Sequence, residues 1–153
     1  MDIHAKLHEL GYTLPTAPKP VAAYVPSVQA GDLVFISGQL AFKEGQLLAV
    51  GSVPSHVTVE QAYEAARQSV LNALAVLDSH IDQDWQRLVR IVKIGLFVAS
   101  DPGFPDQPKV ANGASELLGQ LFGEIGLHAR SAVGVIALPL GSTVELELIA
   151  QVR

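Results

Sequence analysis

Cysteine is absent, which excludes disulfides, thiolate nucleophiles and sulfur-ligated metals. Charge is scarce. Asp, Glu, Lys and Arg make up 16% of the chain, little for a monomer whose whole surface faces water, so an oligomer that covers part of that surface is expected. The alternative is a compact monomer with a surface of Ser, Thr and Gln. Basic residues are the scarcer sign, 10 against 15 acidic for a net charge of −5, and such a chain repels a phosphate backbone unless its bases gather on one face. Arg87, Arg90 and Lys93 recur at every third position, but in a strand-like segment they do not all share a face. The charge therefore argues against a nucleic-acid partner.

Long hydrophobic runs are also missing. The greasiest stretches are broken by Lys93, Gly95 or Glu145, short of the roughly 18 apolar residues of a membrane span. No membrane partner is expected. The first residues include Asp2, His4, Lys6, His8 and Glu9 rather than the basic start and apolar middle of a secretory leader, which makes a cytoplasmic location the default. The histidines show no metal-ligand spacing: His56, His80 and His128 are isolated, and His4 and His8 lie on a short terminal helix. No metal site is expected.

What is present is 153 residues, 49% of them hydrophobic, enough for one domain with one core. Ile3, Leu7 and Leu10 recur at helical spacing before Gly11. Pro15, Pro18, Pro20 and Pro26 then enforce an extended connection. Residues 1–20 thus read as an N-terminal helix and proline-rich lead-in, and 21–153 as a single domain. Strands are expected over 21–28 and 33–40, turning at Ala30-Gly31-Asp32. Thr58 with Gln61 forms a capping box that opens a helix over 60–80, with Ala62, Ala66, Val70, Ala73 and Leu77 on its buried stripe. A buried strand follows over 88–100, with Trp85 closing the end of the core, and a second helix spans 108–123. Two further strands, around Arg130–Ala137 and Val144–Ala150, turn at Pro139–Ser142.

The order ββαβαββ predicts an α+β domain, a mixed β-sheet with two helices packed on one face. The opposite face then needs cover, and the expectation places Arg130 and Glu145 on it together. Hairpin pairing about Leu140 sets Gly134 beside Glu145 and Ile149 beside Arg130, leaving roughly 13 Å between the two charges. A symmetric oligomer closes that gap by bringing Arg130 of one copy toward Glu145 of the next.

Tyr24, the run Phe35-Ile36-Ser37-Gly38-Gln39, Arg130-Ser131-Ala132-Val133, Leu138-Pro139 and Val144-Glu145-Leu146-Glu147 are together similar to the YjgF/UK114/Rid family. The resemblance runs from about Tyr24 to Arg153. It implies a chorismate-mutase-like fold, a homotrimer with clefts between subunits, and hydrolytic deamination of reactive 2-enamino and 2-imino acids to 2-keto acids and ammonia, with no cofactor. It also implies roles for single residues. Arg130 corresponds to the arginine that binds substrate carboxylate, Glu145 to the acidic residue associated with the attacking water, and Tyr24 to a tyrosine at the cleft. Ser37, Gly38, Ala132 and Asn112 correspond to cleft-lining positions. The chain departs from the family at Ala132, where many members carry cysteine, and at Gly134, a commonly charged position, which marks a divergent subgroup.

The chemistry suits these residue types. A guanidinium binds a carboxylate at two points and keeps its charge, and a carboxylate beside water can carry the proton transfers of imine hydrolysis. Each residue also has a structural alternative: a salt bridge of Arg130 with Glu145 or Glu147 at an interface, edge packing for Tyr24, close sheet packing for Ser37 and Gly38, and a helix-surface amide for Asn112. For the protein as a whole, the alternative is a non-catalytic, regulatory trimer that binds small carboxylates or partner proteins through the same Arg130 cleft. An endoribonuclease or translation inhibitor ranks below it.

Overall fold

A computed structural model describes residues 2–17 and 23–153. In chain order the elements are α1 (Ile3–Glu9), β1 (Ser27–Ala30), β2 (Leu33–Leu40), β3 (Phe42–Lys43), β4 (Gln46–Leu47), α2 (Val59–His80), β5 (Leu88–Ala99), α3 (Gln107–Phe122), β6 (Ala129–Val135) and β7 (Val144–Val152). The chain is an α+β domain. Of the strand expected over 21–28, Val21 and Ala22 lie outside the described residues, as do Pro18 and Pro20 of the lead-in; the strand itself begins only at Ser27.

The main sheet has the order β1-β2-β7-β5-β6. Every pairing is antiparallel except β5 with β6, which is parallel. This corrects the hairpin expectation. The turn at Pro139–Gly141, with Leu140 at φ 58 and Gly141 at φ 73, carries the chain past β5, so β7 enters between β2 and β5 rather than beside β6. The physical reason is α3. A helix between β5 and β6 is long enough for a parallel crossover, and β6 takes the free edge of β5.

Helix α2 packs on β2 and β7, and α3 packs on β5, β6 and α2. Thr58 opens α2 with the expected capping box: Gln61 N donates to Thr58 Oγ1 at 3.1 Å and Thr58 N donates to Gln61 Oε1 at 3.0 Å. Between helices and sheet lie Val34, Ile36, Val70, Leu74, Leu77, Ile94, Leu96, Leu118, Leu146 and Leu148, all buried. Trp85 closes one end of this core, its ring centroid 5.7 Å from that of Phe122 and its Nε1 donating to Asp78. Arg67 of α2 lies against the rings of Tyr12 and Tyr63 and donates to both hydroxyls, which ties the start of the lead-in to the body. No helix among the described residues is long and apolar enough to cross a membrane.

Among the buried polar residues, Gln68 and Asn72 of α2 form a pair. Asn72 Nδ2 donates to the carbonyls of Leu40 and Phe42, both at 2.9 Å, and its Oδ1 accepts from Gln68 Nε2. These bonds hold the corner where β2 leaves the sheet for the β3–β4 hairpin. Asn72→Ala strands both carbonyls and the Gln68 amide, so it is expected to lower unfolding free energy by about 2–3 kcal/mol. Urea unfolding of the variant against wild type checks this, and an unchanged midpoint would show the corner held by other contacts.

Candidate functional site

Pairing register decides which side chains share a face. Arg130, Ala132 and Gly134 lie opposite Ile94, Leu96 and Val98 of the parallel neighbour, residues that are fully buried under the helices. Arg130 therefore points to the helix side. Glu145 and Glu147 alternate with buried Val144, Leu146 and Leu148 and lie opposite Phe97 and Gly95; they point to the open side. The expectation that Arg130 and Glu145 share one face fails because β6 takes its register from β5, not from β7. Within one chain the two charges are also two strands and three rungs apart, about 10 Å across and about 10 Å along.

Arg130 extends from the sheet edge toward α3. Its Nη1 donates to Asn112 Oδ1 at 2.9 Å and to Ser115 Oγ at 3.2 Å. Asn112 and Ser115, three apart on one helix, present neighbouring side chains. No ion pair of the described residues involves Arg130, so the salt bridge with Glu145 or Glu147 is not made within the chain. Only neutral groups hold the guanidinium. Asn112 is thus an arginine-orienting amide rather than a bystander on the helix surface. Ala132 packs against the core beside Arg130, and the space a Cβ would take at Gly134 is filled by the Gln107 amide, 2.8 Å away.

Glu145 belongs to a second group. Burial, and after it the Glu147 carboxylate, push the Glu145 carboxyl above the ordinary glutamate range. Gly38 lies directly against it: a Cβ there would fall on the Glu145 carboxyl, 2.8 Å from its Cδ. Glycine is required for that approach. The pairing of β2 with β7 shifts between Ile36 and Gln39, a bulge that re-aims Ser37 and Gly38. Ser37 is fixed there by its N–H to Pro26 O and its hydroxyl to Val25 O at 2.8 Å. Beside them opens a groove of about 770 Å³, lined among others by Tyr24, Gly38, Leu40, Phe42, Asn72 and Leu140. Tyr24 is 63% exposed at its rim, not packed into the sheet edge.

The structure thus joins Arg130 with Asn112 and Ala132 in one group, and Glu145 with Gly38, Ser37 and Tyr24 in another, but does not join the groups in one chain. The open face between β1 and β6 carries exposed Val28, Phe35 and Val133, apolar surface of the kind that marks an interaction site. Sequence reasoning missed Ser115, His128 and Asn72. A signal existed for His128, two residues before Arg130 and so on its side of the strand. For Asn72 the signal was the polar pair Gln68/Asn72 at helical spacing on α2.

The model of the endoribonuclease L-PSP family matches residues 14–152. Protein TCP17 of Trypanosoma cruzi is 38% identical over 152 residues, covering 99% of this chain and 94% of that protein. A 2-iminobutanoate/2-iminopropanoate deaminase of Dermatophagoides farinae is 27% identical, covering 91% and 93%. Among solved structures, Atu1372 of Agrobacterium tumefaciens, a protein of unknown function, superposes with a TM-score of 0.93 at 40% identity, covering 99% of this chain and 92% of that one. Escherichia coli TdcF with bound serine superposes with a TM-score of 0.63 at 26% identity, covering 90% and 93%.

Proposed function

Because the chain belongs to the endoribonuclease L-PSP family, the YjgF/UK114/Rid family, we propose that it hydrolyses reactive 2-enamino and 2-imino acids to 2-keto acids and ammonia, at clefts between the subunits of a homotrimer. The observation that carries this reading is the pair of separated, uncompensated charges. Arg130 is held by neutral groups alone, and Glu145, which points to the other side of the sheet, lies against Gly38, a residue that lines the groove. A neighbouring copy whose open face meets the β6 edge can bring its Glu145 toward Arg130. The deaminase name of one relative and the serine bound to another support a small amino- or imino-acid ligand.

The chemistry asks little of the protein. An enamine first takes a proton at C3 to give the iminium, and Arg130 grips its carboxylate with two donors. Water attacks C2 while Glu145 accepts its proton; the C2–N electron pair moves onto nitrogen. Glu145 then returns that proton to nitrogen in the carbinolamine. As C2–N breaks and ammonia leaves, the hydroxyl oxygen forms the C2 carbonyl of the keto acid and its proton passes to Glu145, which releases it to solvent. Tyr24, at the groove rim, supplies a hydroxyl for the leaving nitrogen. Ser37, Gly38, Asn112 and Ala132 shape the cleft.

The test is release of keto acid from 2-aminoacrylate generated by an independent enzyme, using protein whose mass in light scattering corresponds to three chains. The rate above spontaneous hydrolysis is expected to rise in proportion to added protein. No dependence on protein concentration, with pyruvate still bound, would replace the enzyme by a trimer that only binds small carboxylates. A stable monomer would remove the shared cleft.

A further inference from the structure

The Arg130 guanidinium is connected, through Ser115, to a histidine that the deamination scheme does not use. His128 immediately precedes β6, on a turn that α3 receives at close range: a Cβ at Gly126 would lie 2.9 Å from the Leu118 carbonyl carbon. This approach puts His128 Nδ1 2.6 Å from Gly126 O and Nε2 3.0 Å from Ser115 Oγ. A carbonyl oxygen only accepts, so the ring proton must sit on Nδ1. In the neutral ring Nε2 is then an acceptor, and the Ser115 hydroxyl donates to it. With its one proton committed to His128, Ser115 Oγ turns its lone pairs to other donors, and Arg130 Nη1 donates to it at 3.2 Å. Asn112 Oδ1 accepts from the same Nη1 at 2.9 Å.

We propose that Ser115 and His128 are positioning residues for Arg130: a directional relay, Arg130 to Ser115 to His128 to Gly126 O, that fixes the guanidinium plane and leaves its remaining donors as a fork aimed at a carboxylate. This rests on the reading of Arg130 as the carboxylate-binding residue. Arginine has many rotamers, and the freedom lost on ligand binding weakens affinity unless it has been removed beforehand. Two acceptors on one nitrogen set the plane, and the imidazole sets the direction of one of them. A histidine required only to anchor the strand end would need Nδ1 alone.

That difference gives the test. In His128→Gln the side-chain amide reaches the place of Nε2 and can accept from Ser115, while the bond to Gly126 O is lost. In His128→Asn the amide stands in for Nδ1, keeps the bond to Gly126 O and loses the acceptor for Ser115. Two readouts are taken on the trimer, with Ser115→Ala and Arg130→Lys beside them: the order of the Arg130 guanidinium by nitrogen-15 relaxation without ligand, and pyruvate affinity by calorimetry. Ser115→Ala and His128→Asn are expected to free the guanidinium and to weaken pyruvate about three- to tenfold, whereas His128→Gln stays within about twofold of wild type.

An ordered guanidinium and wild-type affinity in His128→Asn, with both lost in His128→Gln, would overturn the relay in favour of a strand anchor. Unchanged order in Ser115→Ala would overturn it as well. If Arg130→Lys binds pyruvate like wild type, it is the carboxylate role of Arg130 that fails, and the ligand-free order measurement still decides the relay.

Discussion

Arg130→Lys is expected to fold and assemble as wild type yet bind pyruvate or 2-oxobutyrate some ten- to a hundredfold more weakly, because the two changes it makes act on the ligand and not on the core. Lysine replaces a planar fork of donors with one compact ammonium, so two parallel bonds to a carboxylate become at best one. The lost charge-assisted bond is worth about 1.5–3 kcal/mol. Lysine also forfeits the bidentate orientation, so turnover should fall along with affinity. Stability should change little. The guanidinium has no carboxylate partner among the described residues, so no buried charge is orphaned by its removal. Calorimetry with either keto acid reads the first effect and thermal unfolding the second. Equal affinity in the two proteins would remove Arg130 from carboxylate binding. A variant that stays monomeric would show instead that Arg130 holds subunits together, reviving the salt bridge as a contact between copies.

How much of this could be read before the fold was seen differs from residue to residue, for physical reasons. Helix α2 was legible to its cap, because the capping box and the apolar period are local. Strands β2, β5 and β7 were legible from alternation and β-branched content. Strand order was not. Nothing local distinguishes a turn that pairs its two flanks from one that passes over a neighbour, and Pro139–Ser142 served equally for both. That one ambiguity inverted the face assigned to Arg130, since side chains on a strand alternate and a wrong partner transfers a wrong parity. The residue types of the candidate site came from resemblance and from chemistry. Their division into two groups came only from the register. Ser115 and His128 stayed hidden because a serine on a helix and a lone histidine carry no pattern until a third residue joins them.

Glu145→Gln is expected to reduce release of keto acid from 2-aminoacrylate by about a hundredfold or more, the scale of a lost general base, while leaving the assembly intact. Glutamine is nearly isosteric, fills the same space against Gly38 and retains hydrogen bonding, so the loss would be assigned to charge or proton transfer rather than to a cavity. The pH dependence gives an independent signature. Burial, together with Glu147, holds the Glu145 carboxyl above its ordinary range, and only its ionised form can take a proton from water. Turnover should therefore fall as pH drops through that raised value, at a higher pH than an ordinary carboxylate would give, and the Gln variant should lack this limb. Stability runs the other way. A folded-state value raised above the unfolded one stabilises the fold while the group is protonated, and that contribution is lost as pH rises through the folded value. At neutral pH the variant should accordingly be as stable as wild type or more so. Mixing decides where the two charges meet. Subunits of Arg130→Lys and Glu145→Gln, each nearly inactive alone, should on exchange restore about a quarter of the sites if every cleft takes Arg130 from one copy and Glu145 from the next. No recovery after verified exchange would place both residues in one copy's site, against the separation of their faces, and full activity of Glu145→Gln alone would leave the attacking water to Tyr24 or to main-chain groups near Gly38.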